Sequence, residues 1–229
     1  MTGRIESPTY PGLQYFSSLF LHQTLMSDDF PLCAQELIKA GRFIDGRGWV
    51  PATSGNFSAR LADGRIAITV SGRHKGRLTP ADIMLIDVEG KALDGQTPSA
   101  ETLLHTALYR RYPHVGAVLH PHSPGSILQS RLSPAGVVLE NHELLKVLSG
   151  IRTHATRVTI PVFPNDQNIR QLANTVDDWL DRHGDVHAYI IANHGFYTWG
   201  ATVQEALRHV EALEFLFDIE SRLHGVKPL

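Results

Sequence analysis

One cysteine, Cys33, stands in 229 residues, and that scarcity excludes an internal disulfide framework. A single thiol fits a reducing compartment, so the expected location is cytoplasmic. No apolar run approaches the ~20 residues that a membrane-spanning helix needs, and no membrane partner is expected. An excess of either charge is missing as well: 21 Lys+Arg against 23 Asp+Glu leave a formal net charge of -2. Without a basic footprint, nucleic acid is not an expected partner. Residues 13–21 are mildly apolar after Arg4, but Gln14, Ser17 and Ser18 interrupt them and no small-residue cleavage site follows, which argues against a signal peptide. No repeat, charge block or Pro/Ser linker divides the chain. It reads as a loose extension over 1–26 followed by one domain over 27–229.

What the chain does have is histidine, thirteen of them. Hydrophobic periodicity places them. A first helix is predicted over 28–47, capped by Ser27, with Cys33 on its apolar face beside Leu37, Ala40 and Ile44. Strands follow over 57–61 and 66–70 around the turn residues Asp63-Gly64, then over 83–88. Ser99 can cap a helix reaching Tyr112, before the helix-stopping Pro113. A buried strand over 115–119, a helix from Ser123-Pro124, a helical turn over 143–148 and a strand over 158–163 come next. The rest reads as a helix over 165–183, strands over 188–192 and 196–199, and a terminal helix from the capping box Thr202–Glu205 to Gly225. Alternating strands and helices with an early hairpin specify an α/β fold, its mixed, largely antiparallel central sheet covered by helices on both faces.

His120-Pro121-His122 emerges directly from a buried strand. Histidines at i and i+2 on an extended segment point to one side, so both imidazoles can reach one ion. His194 also follows a buried strand, between Asn193 and Gly195, and is the candidate third ligand. His183, His187, His209 and His224 fall on or near helix surfaces and read as solvated. Small-residue turns at Thr53-Ser54-Gly55-Asn56, Ser71-Gly72-Arg73 and Pro98-Ser99 can present N–H groups to an anion, with Lys75 and Arg77 as nearby charge. Glu101, Glu140 and Glu143 are the proton-transfer candidates. Glu143, beside Leu144 and Leu145, is expected to be partly desolvated and so raised in pKa.

Ser54-Gly55-Asn56-Phe57-Ser58, Thr69-Val70-Ser71-Gly72, Pro98-Ser99-Ala100-Glu101, His120-Pro121-His122-Ser123 and Asn193-His194-Gly195 together resemble the class II aldolase/adducin family, in the family's order and over 32–223. The segments 71–79, 99–105 and 140–146 are similar to the family's dehydratase branch, which serves methionine salvage. The resemblance implies a lyase with one Zn2+ per subunit on His120, His122 and His194, acting on a small phosphorylated keto-sugar. It implies Glu143 as dehydratase acid–base, Glu101 as the carboxylate that serves the aldolases, and Gly55, Asn56, Ser71, Gly72 and Ser99 around the phosphate. It further implies a homotetramer with sites near subunit interfaces, where a neighbouring chain can contribute residues. Two positions depart from the pattern: Pro121 stands where threonine is commoner, and Ser99-Ala100 replaces two hydroxyl residues. The competing readings are a sugar-phosphate aldolase centred on Glu101 and an adducin-like binding domain without catalysis.

Overall fold

In the computed structural model, residues 29–225 are described, so the extension, the rejected leader and the Ser27 cap lie outside the described residues. Helix α1 (Phe30–Gly46) has Asp29 at its N-cap position, with Pro31 in its first turn. The Asp29 carboxylate accepts from Ala62 N–H rather than from the helix, tying α1 to the following hairpin. Leu37, Ala40 and Ile44 are buried. Cys33 packs half-buried against the same core, and burial pushes its thiol up to about 11.

Strands β1 (Asn56–Arg60) and β2 (Ile66–Thr69) form the expected hairpin, Ser58 opposite Ile68, with Gly64 at φ +89 in the turn. Strand β3 (Ile83–Ile86) pairs with β2 and ends sooner than predicted. Its stop is local: the Asp87 carboxylate accepts from Glu89 and Lys91 N–H and closes a turn. Helix α2 (Thr102–Arg111), strand β4 (Ala117–His120) and helix α3 (Pro124–Leu132) follow. Sequence periodicity missed β5 (Val137–Glu140), which pairs with β6 (Arg157–Ile160) in a separate two-stranded ribbon.

The predicted strand over 158–163 is in fact two strands in two sheets, β6 and β7 (Val162–Phe163). Pro161 separates them, since it brings no N–H to continue a ladder, while its carbonyl accepts from Ile190. Helix α4 (Ile169–His183) starts four residues later than expected, because Asn168 caps it by accepting from Gln171 N–H. Strands β8 (Ala188–Ile191) and β9 (Gly195–Gly200) lead into α5 (Val203–Leu223), where the Thr202 hydroxyl accepts from Glu205 N–H as the capping box required. The Glu205 carboxylate reaches Ala201 N–H, one residue before the expected partner.

The main sheet runs β3-β2-β1-β4-β9-β8-β7, antiparallel except for the β7/β8 pair, so the mixed, largely antiparallel reading holds. Helices α1 and α5 cover one face, around Phe57, Leu119 and Phe196. Helices α2 and α4 cover the other, around Ile68, Tyr189 and Tyr197. With both faces buried, the central strands need apolar residues on both sides, which is why β4 and β8 read as short continuous apolar runs. No described helix is long and apolar enough to cross a membrane.

Candidate metal and active site

Strands β1, β4 and β9 meet at one end of the sheet. Asn56 opens β1 there and pairs with His120, the last residue of β4. Two glycines permit the convergence. A Cβ on Gly55, at φ +74, would stand 2.6 Å from the His120 carbonyl oxygen. On Gly195 it would stand 2.3 Å from the Pro121 oxygen, so the loop after β8 closes against the His-Pro-His segment only without a side chain. Asn193, at φ +56, takes the left-handed turn that aims His194 back at the pair. The commoner threonine's N–H at Pro121 is not missed for closure, because the Pro121 carbonyl supplies the contact, accepting from Phe196 N–H.

The result is a cluster of four side chains. One ligand atom from each of Glu101, His120, His122 and His194 lies within 4.8 Å of the others. The Nε2 atoms of His120 and His122 are 2.9 Å apart, and those of His122 and His194 are 3.0 Å apart. Glu101 Oε1 is 2.8 Å from His194 Nε2, and its Oε2 is 3.4 Å from His120 Nε2. These four residues are a group capable of holding a metal ion.

The donor chemistry fits such an ion. His120 Nδ1 lies 2.8 Å from the Phe196 carbonyl, which can only accept, so Nδ1 carries the hydrogen and Nε2 presents its lone pair inward. His194 Nδ1 meets Asn165 Oδ1 at 3.2 Å with the same consequence. Burial pushes His120 down to about 4 and, with the neighbouring imidazoles, His122 to about 3. Both are therefore neutral at physiological pH, the state a metal ligand needs. For Glu101, burial pushes the carboxyl up, but any positive charge on His120 or His194, with the Asn56 amide N–H, outweighs it and holds it well below the usual carboxylate range. Neutral imidazole with one carboxylate is a donor set that first-row divalent ions, zinc among them, accept.

Beside the cluster is a cleft of about 410 Å³. Its wall includes every residue expected around the phosphate, Gly55, Asn56, Ser71, Gly72 and Ser99, together with Glu101, His122 and His194. Lys75, expected from sequence to add positive charge near the anion turns, is 2% exposed. Its Nζ donates to the carbonyls of Thr53 (2.8 Å) and Arg73 (2.6 Å), pinning two of the small-residue turns together. Burial pushes its ammonium down to about 8. The Ser54 hydroxyl is buried without a hydrogen-bond partner among the described residues, an acceptor and donor still to be used.

Other expectations need correction. Ser99 does not cap α2 as its first neighbour; Glu101 occupies the N-cap position, and Ser99 Oγ instead accepts from Glu101 N–H and from Asn56 Nδ2. Glu143 is 71% exposed, not desolvated: its segment turns outward as a short 3-10 helix over Glu143–Val147. Lys146 pairs with it and lowers its pKa, so the expected rise is absent in the single chain. Glu143 lines a different, larger and mainly apolar depression with His142, Val147, Arg208, Phe215 and Leu216. Glu140 is exposed and faces Arg157. His209, read as solvated, is buried: its Nδ1 donates to the Trp199 carbonyl at 2.7 Å, and Ser149 lies 3.2 Å from Nε2. His187 is only partly exposed, while His183 and His224 are exposed as expected.

Three contributors escaped the sequence. Asn165, assigned to a helix, sits in the loop before α4 and orients His194. Tyr197 stacks on His120 with centroids 3.9 Å apart. His105 backs the site through Asn56, and its spacing four residues from Glu101 on a predicted helix was the signal available.

Fold and cluster together define the class: an α/β domain of class II aldolase architecture with a residue group able to hold a metal ion. Residues 35–221 match the family model for the class II aldolase and adducin N-terminal domain, and the chain belongs to that family. It is 71% identical over 199 residues to the methylthioribulose-1-phosphate dehydratase of Methylococcus capsulatus, covering 87% of this chain and 98% of the relative. Among solved structures, YgbL from Escherichia coli superposes with a TM-score of 0.73 at 27% identity, covering 89% of this chain and 94% of YgbL. The L-fuculose-1-phosphate aldolase of Thermus thermophilus superposes with a TM-score of 0.67 at 26% identity, covering 86% of this chain and 98% of the aldolase.

Proposed function

We propose that this chain is a hydro-lyase that converts 5-methylthioribulose 1-phosphate to 2,3-diketo-5-methylthiopentyl 1-phosphate and water, a dehydration step of methionine salvage. The observation that carries the reading is the convergence of Glu101, His120, His122 and His194 at the mouth of the cleft lined by Gly55, Asn56, Ser71, Gly72 and Ser99. The identity to a dehydratase over nearly its whole length supports dehydration over carbon–carbon cleavage.

His120, His122 and His194 would hold the ion, which we assign as zinc, one per subunit. Bound there, zinc supplies Lewis-acid polarisation of the substrate's carbonyl. The chain's own groups supply the rest. Ser54, Ser71, Ser99 and the surrounding turns bind the phosphate, with Lys75 holding the turns in place. Glu101 is ionised and is the base that accepts the proton from carbon 3. Glu143 gives a proton to the departing carbon-4 hydroxyl, which leaves as water, and the resulting enol becomes the diketone.

That last role sets a condition. Glu143 lines a depression that shares no residue with the wall of its own chain's cleft, and it is exposed. We therefore place it at the cleft of a neighbouring subunit in a homo-oligomer, a tetramer on the family resemblance. There the apolar depression would be covered and the carboxyl would lose its solvent. A cytoplasmic location accords with the lone unpaired thiol.

The test is to incubate the purified protein with methylthioribulose 1-phosphate and, in parallel, with fuculose 1-phosphate and ribulose 5-phosphate. Diketone formation from the first alone is the expected result. Aldol cleavage of either sugar phosphate without dehydration would assign the Glu101-centred aldolase instead. No turnover and no bound metal would assign the non-catalytic alternative.

A further inference from the structure

Behind Glu101 runs a line of buried polar side chains that the mechanism above does not use. Tyr109 Oη lies 2.9 Å from Ser58 Oγ, and Ser58 Oγ lies 2.7 Å from His105 Nδ1. His105 Nε2 contacts Asn56 Oδ1, and Asn56 Nδ2 stands 2.6 Å from Glu101 Oε2 and 3.1 Å from Ser99 Oγ. Ser58 and His105 are fully buried, and Asn56 and Tyr109 nearly so. Such a line is costly to bury unless every member is satisfied.

Every hydrogen in this line has a forced position. A carboxylate only accepts, so the Asn56 group facing Glu101 is the NH2 and the group facing His105 is the oxygen. That oxygen also only accepts, so His105 carries its hydrogen on Nε2. Nδ1 is then an acceptor, Ser58 donates to it, and Tyr109 donates to Ser58. All donors point toward the metal cluster.

We propose that His105 is a positioning residue of the active site: its Nε2–H fixes the orientation of the Asn56 amide, which in turn fixes the Glu101 carboxylate against His120 and His194. Without that N–H, the buried amide oxygen loses its donor and only Glu101 and Ser99 hold the NH2, so the amide can swing and the carboxylate with it. The proposal deepens the dehydratase reading and relies on it for its kinetic arm only.

The test uses two substitutions of similar size. His105→Gln offers an NH2 near the Nε2 position and keeps the donor to Asn56. His105→Asn offers its polar group near the Nδ1 position, keeping the Ser58 side and losing the donor. In the purified full chain, His105→Asn is expected to lower kcat about tenfold or more with KM little changed, and to weaken zinc binding about tenfold in a chelator competition. His105→Gln is expected to stay within about threefold of the unsubstituted protein in both. Nitrogen NMR of protein carrying isotope-labelled histidine reads the third arm, with His105 expected as the Nε2–H tautomer.

Equal kcat and equal zinc affinity in the two variants would overturn the proposal, as would an Nδ1–H tautomer. The NMR arm needs no substitution, so it decides even where both variants fail to fold. If the unsubstituted protein does not dehydrate methylthioribulose 1-phosphate, the functional reading falls, while the tautomer and the zinc titration still judge His105.

Discussion

Glu101 and Glu143 make an instructive pair. Each stands at the start of a helical turn, and each was nominated from sequence for proton transfer. Glu101 is 12% exposed at the sheet end, between two imidazoles and an amide. Glu143 is 71% exposed on an outward-facing turn, with Lys146 for company. A third carboxylate completes the comparison. Glu214 on α5 is buried like Glu101, but its neighbours are the Ser123 hydroxyl and the N–H groups of Gly125 and Ser126. Burial therefore raises Glu214 to about 7, whereas the imidazoles reverse the same burial penalty at Glu101. Residue type tells nothing here; depth and neighbours decide.

Three kinds of measurement would break or sharpen that contrast, beginning with the largest effect. Removing the ion with a chelator, or substituting His122→Ala, is expected to cost at least about a thousandfold in dehydration rate, several kcal/mol of lost Lewis-acid stabilisation. Restored activity on adding zinc to the chelated protein, but not to the variant, is the expected pattern. A chelated, metal-free protein at full speed would remove the cluster from the chemistry.

Next is Glu143→Gln, expected to slow turnover about a hundredfold or more with bound zinc and Tm unchanged, because its carboxyl touches little in its own chain. The effect should be complemented in mixed oligomers: subunits carrying Glu143→Gln, combined with subunits carrying His122→Ala, should regain part of the activity. No recovery in the mixture would argue against donation across subunits.

The last measurement leaves the chemistry untouched: it concerns Glu214 and is one of stability. Its folded pKa of about 7 stands above the ordinary 4.5, so the folded protein holds more protons than the unfolded chain between those values. Stability from this group is complete below the lower value and is lost as pH rises through the upper one, on the order of 3 kcal/mol in all. Glu214→Gln is thus expected to raise Tm relative to the unsubstituted protein at about pH 8 more than at about pH 5. A difference that shrinks with pH would mean that the helix N–H groups of α3 stabilise the carboxylate more than burial opposes it.

Much of the fold was legible because its signals are local. The hairpin around Asp63-Gly64, the proline start of α3 and the Thr202 cap of α5 each depend on two to four adjacent residues. The mixed sheet followed from the period of the strands. β5 was lost because four residues, half of them facing solvent, carry too little pattern. Pro161 divides one apolar run into β6 and β7, because it brings no N–H to continue a ladder.

At the site, the sequence by itself determined which residue types could meet an ion. His120 and His122 share a face because alternate residues of an extended chain do, and the glycines at 55 and 195 mark backbone that must come close. Tertiary structure alone decided the electrostatics. Whether a carboxyl is buried, and whether an imidazole or a solvent shell meets it, depends on strands and helices separated by tens of residues in the chain. That is why Lys75, His105 and Asn165 gained roles that no local pattern assigned them, and why Glu143 lost the desolvation its apolar neighbours suggested.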